Sequence, residues 1–160
     1  MKDEIIHLLK SCLENGSEED LKALSFVLEG IQNKITGKNH SYLDGLLQME
    51  RTLGEDFCEI TIPLNPVFHN SLHILHGGIT ATLLDTAMGT LVNYILPKGF
   101  GAVTNQLNIH YIAPGTGEHL RCRAEIVHHG SKTMVVSGTA YRSDGKKIAH
   151  STGTFFIIQK

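Results

Sequence analysis

The sequence predicts an α+β fold in which an antiparallel sheet wraps over one long central helix, preceded by N-terminal helices. Three observations predict it. Residues 79–96 are almost wholly apolar and long enough for about five helical turns. Four runs of strand character follow, separated by short stretches of Gly, Pro, Ser and Asp. No regular alternation of strand with helix is present that would build a parallel sheet.

Taken in order, residues 1–36 read as two helices. In the first, Ile5, Leu8, Leu9, Cys12 and Leu13 recur at helical spacing, and the Asn15-Gly16 pair is a stop signal. Ser17 followed by Asp20 is a capping-box-like start, after which Leu21, Leu24, Leu28, Ile31 and Ile35 form one stripe. Such stripes belong to helices that pack on something. Residues 36–41 read as a linker and "YLDGLLQME" as a short apolar segment, so residues 1–52 are taken as an extension and 53–160 as the main domain.

In the main domain, "DFCEITIPL" alternates as a strand until Pro63, and Pro66 opens a loop. The helix is expected over roughly 76–96, stopped by Pro97 and "KGFG". The strands "VTNQLNIHYI", "HLRCRAEIVH", "TMVVSGTAYR" and "KIAHSTGTFFII" are separated by "APGTGE", "HGSK" and "SDGK". These separators have hairpin chemistry, which predicts successive antiparallel neighbours. A helix apolar nearly all round needs cover on more than one side, and a single sheet gives one. A second copy of the chain is the expected remainder.

Composition narrows the function. A 160-residue chain, 41% hydrophobic and 19% charged with a net charge of −2, has the balance of a soluble globular protein with one core. Nothing in that balance attracts nucleic acid or an anionic membrane globally. Asp85 lies inside the apolar run, and a carboxylate at a bilayer centre costs roughly 2.5–3.5 kcal/mol, so a buried helix is expected rather than a membrane span. The N-terminus lacks the features of a signal peptide, and the expected location is cytoplasmic. Cys12, Cys58 and Cys122 are far apart and without a CxxC pattern, which fits reduced thiols rather than a disulfide frame or zinc site.

The chemistry-bearing stretch is "NSLHILHGGITATLLD", Asn70 to Asp85. His69, His73 and His76 would share a face if helical, as a metal site might require, but Pro66 and the two glycines point to a loop that ends at a helix start. No metal is expected there. The first turn of a helix carries N–H groups without intrahelical acceptors and a partial positive charge, so Gly77 and Gly78 could bring a polarised carbonyl oxygen close to bare backbone. Asp85 stands among apolar residues, where an unpartnered carboxylate is rare.

This stretch resembles the signature of the hotdog-fold acyl-CoA thioesterases, in particular the PaaI-like branch. The carriers are Asn70 six residues before His76-Gly77-Gly78, Asp85 eight residues after Gly77, and the downstream run "LNIHYIAP". The resemblance extends from about residue 53 to 160. It implies hydrolysis of an acyl-CoA thioester without cofactor, in a homodimer or dimer of dimers. The N–H of Gly77 would polarise the thioester carbonyl with help from Asn70. Asp85 would act as general base on water or as nucleophile, and Thr104 falls where the family often holds the attacking water. His76, Gly78 and Asn105 complete the candidate substrate-contacting set.

Gly77 and Asp85 lie about 12 Å apart along one helix at 1.5 Å per residue, so they cannot both touch one carbonyl. Sites shared between two chains follow from the resemblance. Coenzyme A also needs bases, for which Arg121, Arg123, Lys132, Lys146 and Lys147 form a candidate region. A DNA-binding regulator is disfavoured because residues 1–50 hold five Lys against nine Asp or Glu. A hotdog dehydratase would need a His and a carboxylate on one acyl chain, whereas the motif spacing is the hydrolase pattern. A non-catalytic acyl-CoA-binding or ligand-sensing protein is the alternative that remains.

Overall fold

The computed structural model describes residues 1–159. The chain forms two compact units: Met1–Gln48 together with Asn65–Val67, and the rest from Met49 onward.

The first unit holds three helices: α1 (Lys2–Asn15), α2 (Glu18–Ile35) and α3 (Tyr42–Leu46). The capping box at α2 is formed. Asp20 N–H donates to Ser17 Oγ at 3.2 Å, and Ser17 N–H donates to the Asp20 carboxylate at 2.9 Å. α3 was not expected as a helix; its single turn is started by Ser41, whose Oγ accepts from Asp44 N–H at 3.1 Å. α2 and α3 meet through Gly30 and Gly45, where a Cβ on Gly30 would lie 2.6 Å from the Gly45 carbonyl oxygen. No residue of α1 is buried, and its Ile5, Leu8 and Leu13 are 50%, 60% and 63% exposed.

The second unit is a six-stranded antiparallel sheet packed on one helix, α4 (Gly77–Ile95). Its strands are β1 (Glu50–Leu53), β2 (Phe57–Pro63), β3 (Phe100–Tyr111), β4 (His119–His129), β5 (Thr133–Arg142) and β6 (Lys147–Gln159). β1 is an addition to the sequence reading; it is short and lacks alternation. The spatial order is β1-β2-β4-β5-β6-β3. That order corrects one expectation. "APGTGE" is not a hairpin turn: β3 pairs with β6 and β4 with β2, so the segment carries the chain across the sheet. The β4-β5 and β5-β6 hairpins are as expected.

Alternation decides which face α4 covers. Cys58, Ile60 and Ile62 of β2, and Leu120, Cys122 and Ala124 of β4, are fully buried, while their neighbours point away from the helix. From α4 come Leu83, Leu84, Ala87, Met88, Leu91 and Val92. Burial of each large side chain contributes about 1.5–3 kcal/mol, which outweighs the weak helix propensity of four Thr and an internal Gly89. The helix can lie close because the sheet opposite it is bare: a Cβ on Gly138 would meet Ser151 Oγ at 2.7 Å and Leu84 at 3.1 Å. α4 is less uniformly apolar than expected. Thr82 and Thr86 lie on a half-exposed side and donate to the carbonyls of Gly78 and Thr82, four residues back, at 2.9 and 2.7 Å.

β3 is an edge strand of twelve residues, mostly exposed in the chain. Its pairing with β6 is interrupted between Thr104 and Gln106, where Asn105 is an extra, bulged residue. Among the described residues, no helix is long and apolar enough to cross a membrane.

Candidate active site

The segment before α4 is a loop, as its prolines and glycines predict. A single turn of 3-10 helix at Pro66–Phe68 leads to an isolated bridge between His69 and Leu75. His73 takes a left-handed φ of 56°, so the three histidines share no helical face. Asn70 organises the turn. Its Oδ1 accepts from Leu72 N–H at 2.9 Å and, at longer range, from Ile74 N–H at 3.5 Å. The carboxamide oxygen is thus engaged, and the Nδ2 donors make no bond among the described residues.

His76 is the N-cap of α4, extended at φ −63° and ψ 132°, and its Nδ1 accepts from Gly78 N–H at 2.9 Å. In that bond Nδ1 is the acceptor, which leaves Nε2 as the ring's donor. A Cβ on Gly78 would lie 3.0 Å from the same Nδ1, so glycine keeps this cap close. Gly77 is the first helical residue, and its N–H carries no hydrogen bond among the described residues. No acidic residue stands in the first turn to offset the helix dipole. Gly77 and Asn70 line one cleft of about 390 Å³, together with Thr80, Tyr111, Ile112 and Pro114.

Asp85 is half-buried two turns further along α4, outside that cleft, and its Oδ1 accepts from Thr104 Oγ1 at 2.9 Å. The bond joins α4 to β3 beside the Asn105 bulge and leaves the second carboxylate oxygen without a hydrogen-bond partner among the described residues. The sequence-predicted residues therefore fall into two groups. Asn70, His76, Gly77 and Gly78 meet at the helix start; Asp85 and Thr104 meet two turns away, with Asn105 adjacent.

Tyr111 was missed by sequence reading. Its hydroxyl donates to the Gly77 carbonyl oxygen at 2.8 Å, and its ring would lie 3.4 Å from a Cβ on Gly77. The "LNIHYIAP" run drew attention to this strand, but only its register against α4 reveals the contact. Two of the five candidate bases are already engaged on the face of β4 away from α4. Arg121 pairs with Glu59 at 2.8 Å and lies over Tyr141; Arg123 pairs with Glu125 at 2.9 Å and lies over Phe57. Cys58 and Cys122 are buried in the core, which pushes the Cys58 thiol up to about 11 and raises that of Cys122 as well.

The helix start thus offers a free N–H beside its cap, and two turns further along the same helix stands a carboxylate held by a hydroxyl. The pattern of the Thioesterase superfamily matches residues 72–149. A presumptive esterase of Halobacterium salinarum is 37% identical over 136 residues, covering 74% of this chain and 89% of that protein. Mouse acyl-coenzyme A thioesterase 13 is 34% identical over 88 residues, 53% of this chain and 61% of that one. The crystal structure of the BH2602 protein from Bacillus halodurans with CoA superposes with a TM-score of 0.89 at 42% identity, covering 96% of this chain and 99% of that one. The chain belongs to the thioesterase superfamily, with the hotdog fold, and its class of reaction is thioester hydrolysis.

Proposed function

We infer that the chain hydrolyses acyl-CoA thioesters at two equivalent sites of a homodimer, each built from Gly77 of one chain and Asp85 of the other. The observation that carries this reading is the separation of an unpaired Gly77 N–H from the Thr104-held Asp85 by two helical turns. In one chain these groups cannot meet at a single carbonyl; antiparallel pairing of two α4 helices would bring each to the other's partner. The long exposed edge of β3 supports it, since an unpaired edge is a template for a second strand. The CoA in the BH2602 structure and the thioesterase names of relatives support the substrate class.

In this mechanism the Gly77 N–H and the free Asn70 Nδ2 donate to the thioester carbonyl oxygen. A preorganised donor of this kind contributes about 2.7–4 kcal/mol as that oxygen becomes anionic. The partner's Asp85 either takes a proton from water as the water oxygen attacks the carbonyl carbon, or attacks that carbon itself to give a mixed anhydride that water then opens. In both routes the carbon–sulfur bond breaks and CoA leaves as a thiolate that takes up a proton. Thr104 fixes the carboxylate. The test is release of free thiol from a panel of acyl-CoA thioesters of graded chain length and aromatic character. Measurable affinity for CoA esters with no release from any of them would replace this reading by that of an acyl-CoA binder.

A further inference from the structure

The geometry points to Tyr111 as a positioning residue for the carbonyl-polarising N–H of Gly77. This rests on the function proposed above. The peptide unit joining Gly77 to Gly78 is held at both ends by side chains: its carbonyl oxygen accepts from Tyr111 Oη at 2.8 Å, and its N–H donates to His76 Nδ1 at 2.9 Å. Two bonds on one peptide reinforce each other, because each polarises the amide toward the other.

The placement matters because two successive glycines have the widest choice of backbone angles, and the free N–H of Gly77 is attached to that flexible pair. The peptide before Gly77 is anchored by the His76 carbonyl, which accepts from Ile79 N–H at 3.0 Å. With the following peptide also fixed, both rotations about the Gly77 Cα are restrained, and the N–H is aimed before substrate arrives. Preorganised aim is what makes such a donor effective in the transition state. Tyr111 comes from β3, the strand that also supplies Thr104 to Asp85, so one edge strand orients both halves of the site.

The variant Tyr111→Phe keeps the ring against Gly77 and removes only the hydroxyl. Loss of one neutral hydrogen bond that acts through orientation should lower kcat about three- to tenfold, with KM for an acyl-CoA and affinity for a non-hydrolysable thioether analogue unchanged. The Gly78 amide should exchange with solvent deuterium several-fold faster in the variant, while amides of β4 and β5 keep their rates. Unchanged kcat, or a rise in KM with kcat preserved, would overturn the proposal. So would equal Gly78 exchange in both proteins. If Tyr111→Phe fails to fold, the unaltered chain still decides: an unprotected Gly78 amide would mean that the clamp does not exist. If the unaltered chain hydrolyses no thioester while the clamp is seen by exchange, it is the proposed function that fails, and the role of Tyr111 in aiming the donor falls with it.

Discussion

Asp85 is the residue on which the proposed chemistry turns. Asparagine in its place keeps the shape and can still accept from Thr104, but it can neither take a proton usefully nor attack as a carboxylate. Hydrolysis by Asp85→Asn should fall by roughly 10²- to 10⁴-fold, the range for a positioned acid or base, with thioether-analogue affinity retained. Equal turnover per folded site would remove Asp85 from the chemistry. A second residue-scale prediction concerns the thiols. Cys12 is exposed, whereas burial raises the thiols of Cys58 and Cys122 and shields them. An aromatic disulfide reagent at pH 8 should therefore titrate one thiol in the native protein and three after unfolding. At this scale the sequence was informative where a residue type was out of place, as with a carboxylate in an apolar run. It was silent on Tyr111, because a tyrosine in a strand is ordinary and its role comes from a contact 34 residues away.

Among the elements, α4 and the sheet were legible because their patterns are long and local. Helix expectation and observation differ by one residue at each end, 76–96 against Gly77–Ile95. The four later strands follow from alternation and turn chemistry. The pairing of β3 was not legible: turn residues report that the chain bends and do not say which strand it then joins. Nor was β1, whose four residues are too few to show a period. The approach of α4 to the sheet depends on small residues that no periodicity weighs. Gly138→Ala should destabilise the protein by about 1–3 kcal/mol in denaturant unfolding, because the added Cβ would meet Ser151 and Leu84 in a closed core. A cost below about 0.5 kcal/mol would show that this contact yields more readily than the packing suggests.

For the molecule as a whole, shared sites can be tested by complementation. Gly77→Pro removes the N–H at a position where the rest of the helix should tolerate it, since proline suits the first helical residue and His76 is already extended. Dimers of Gly77→Pro alone and of Asp85→Asn alone should each be inactive. Mixed dimers should recover about one working site of two, measured as turnover per verified heterodimer. Absence of recovery would place both groups in a site of another design.

The bulge at Asn105 has a consequence for how such an assembly can vary. Thr104 and Tyr111 are seven positions apart, an odd number, and in an unbroken strand an odd separation sends two side chains to opposite faces. Yet both reach α4, at Asp85 and at Gly77. The extra residue between them restores the parity: Thr104 lies opposite Phe155 and Tyr111 opposite Ala149, both buried positions on the helix side of β6. β3 thus works as a counted ruler. A chain of the same length that closed this ladder without looping out Asn105 could aim only one of the two hydroxyls at the helix, so the two ends of the site are tied to a single bulged residue.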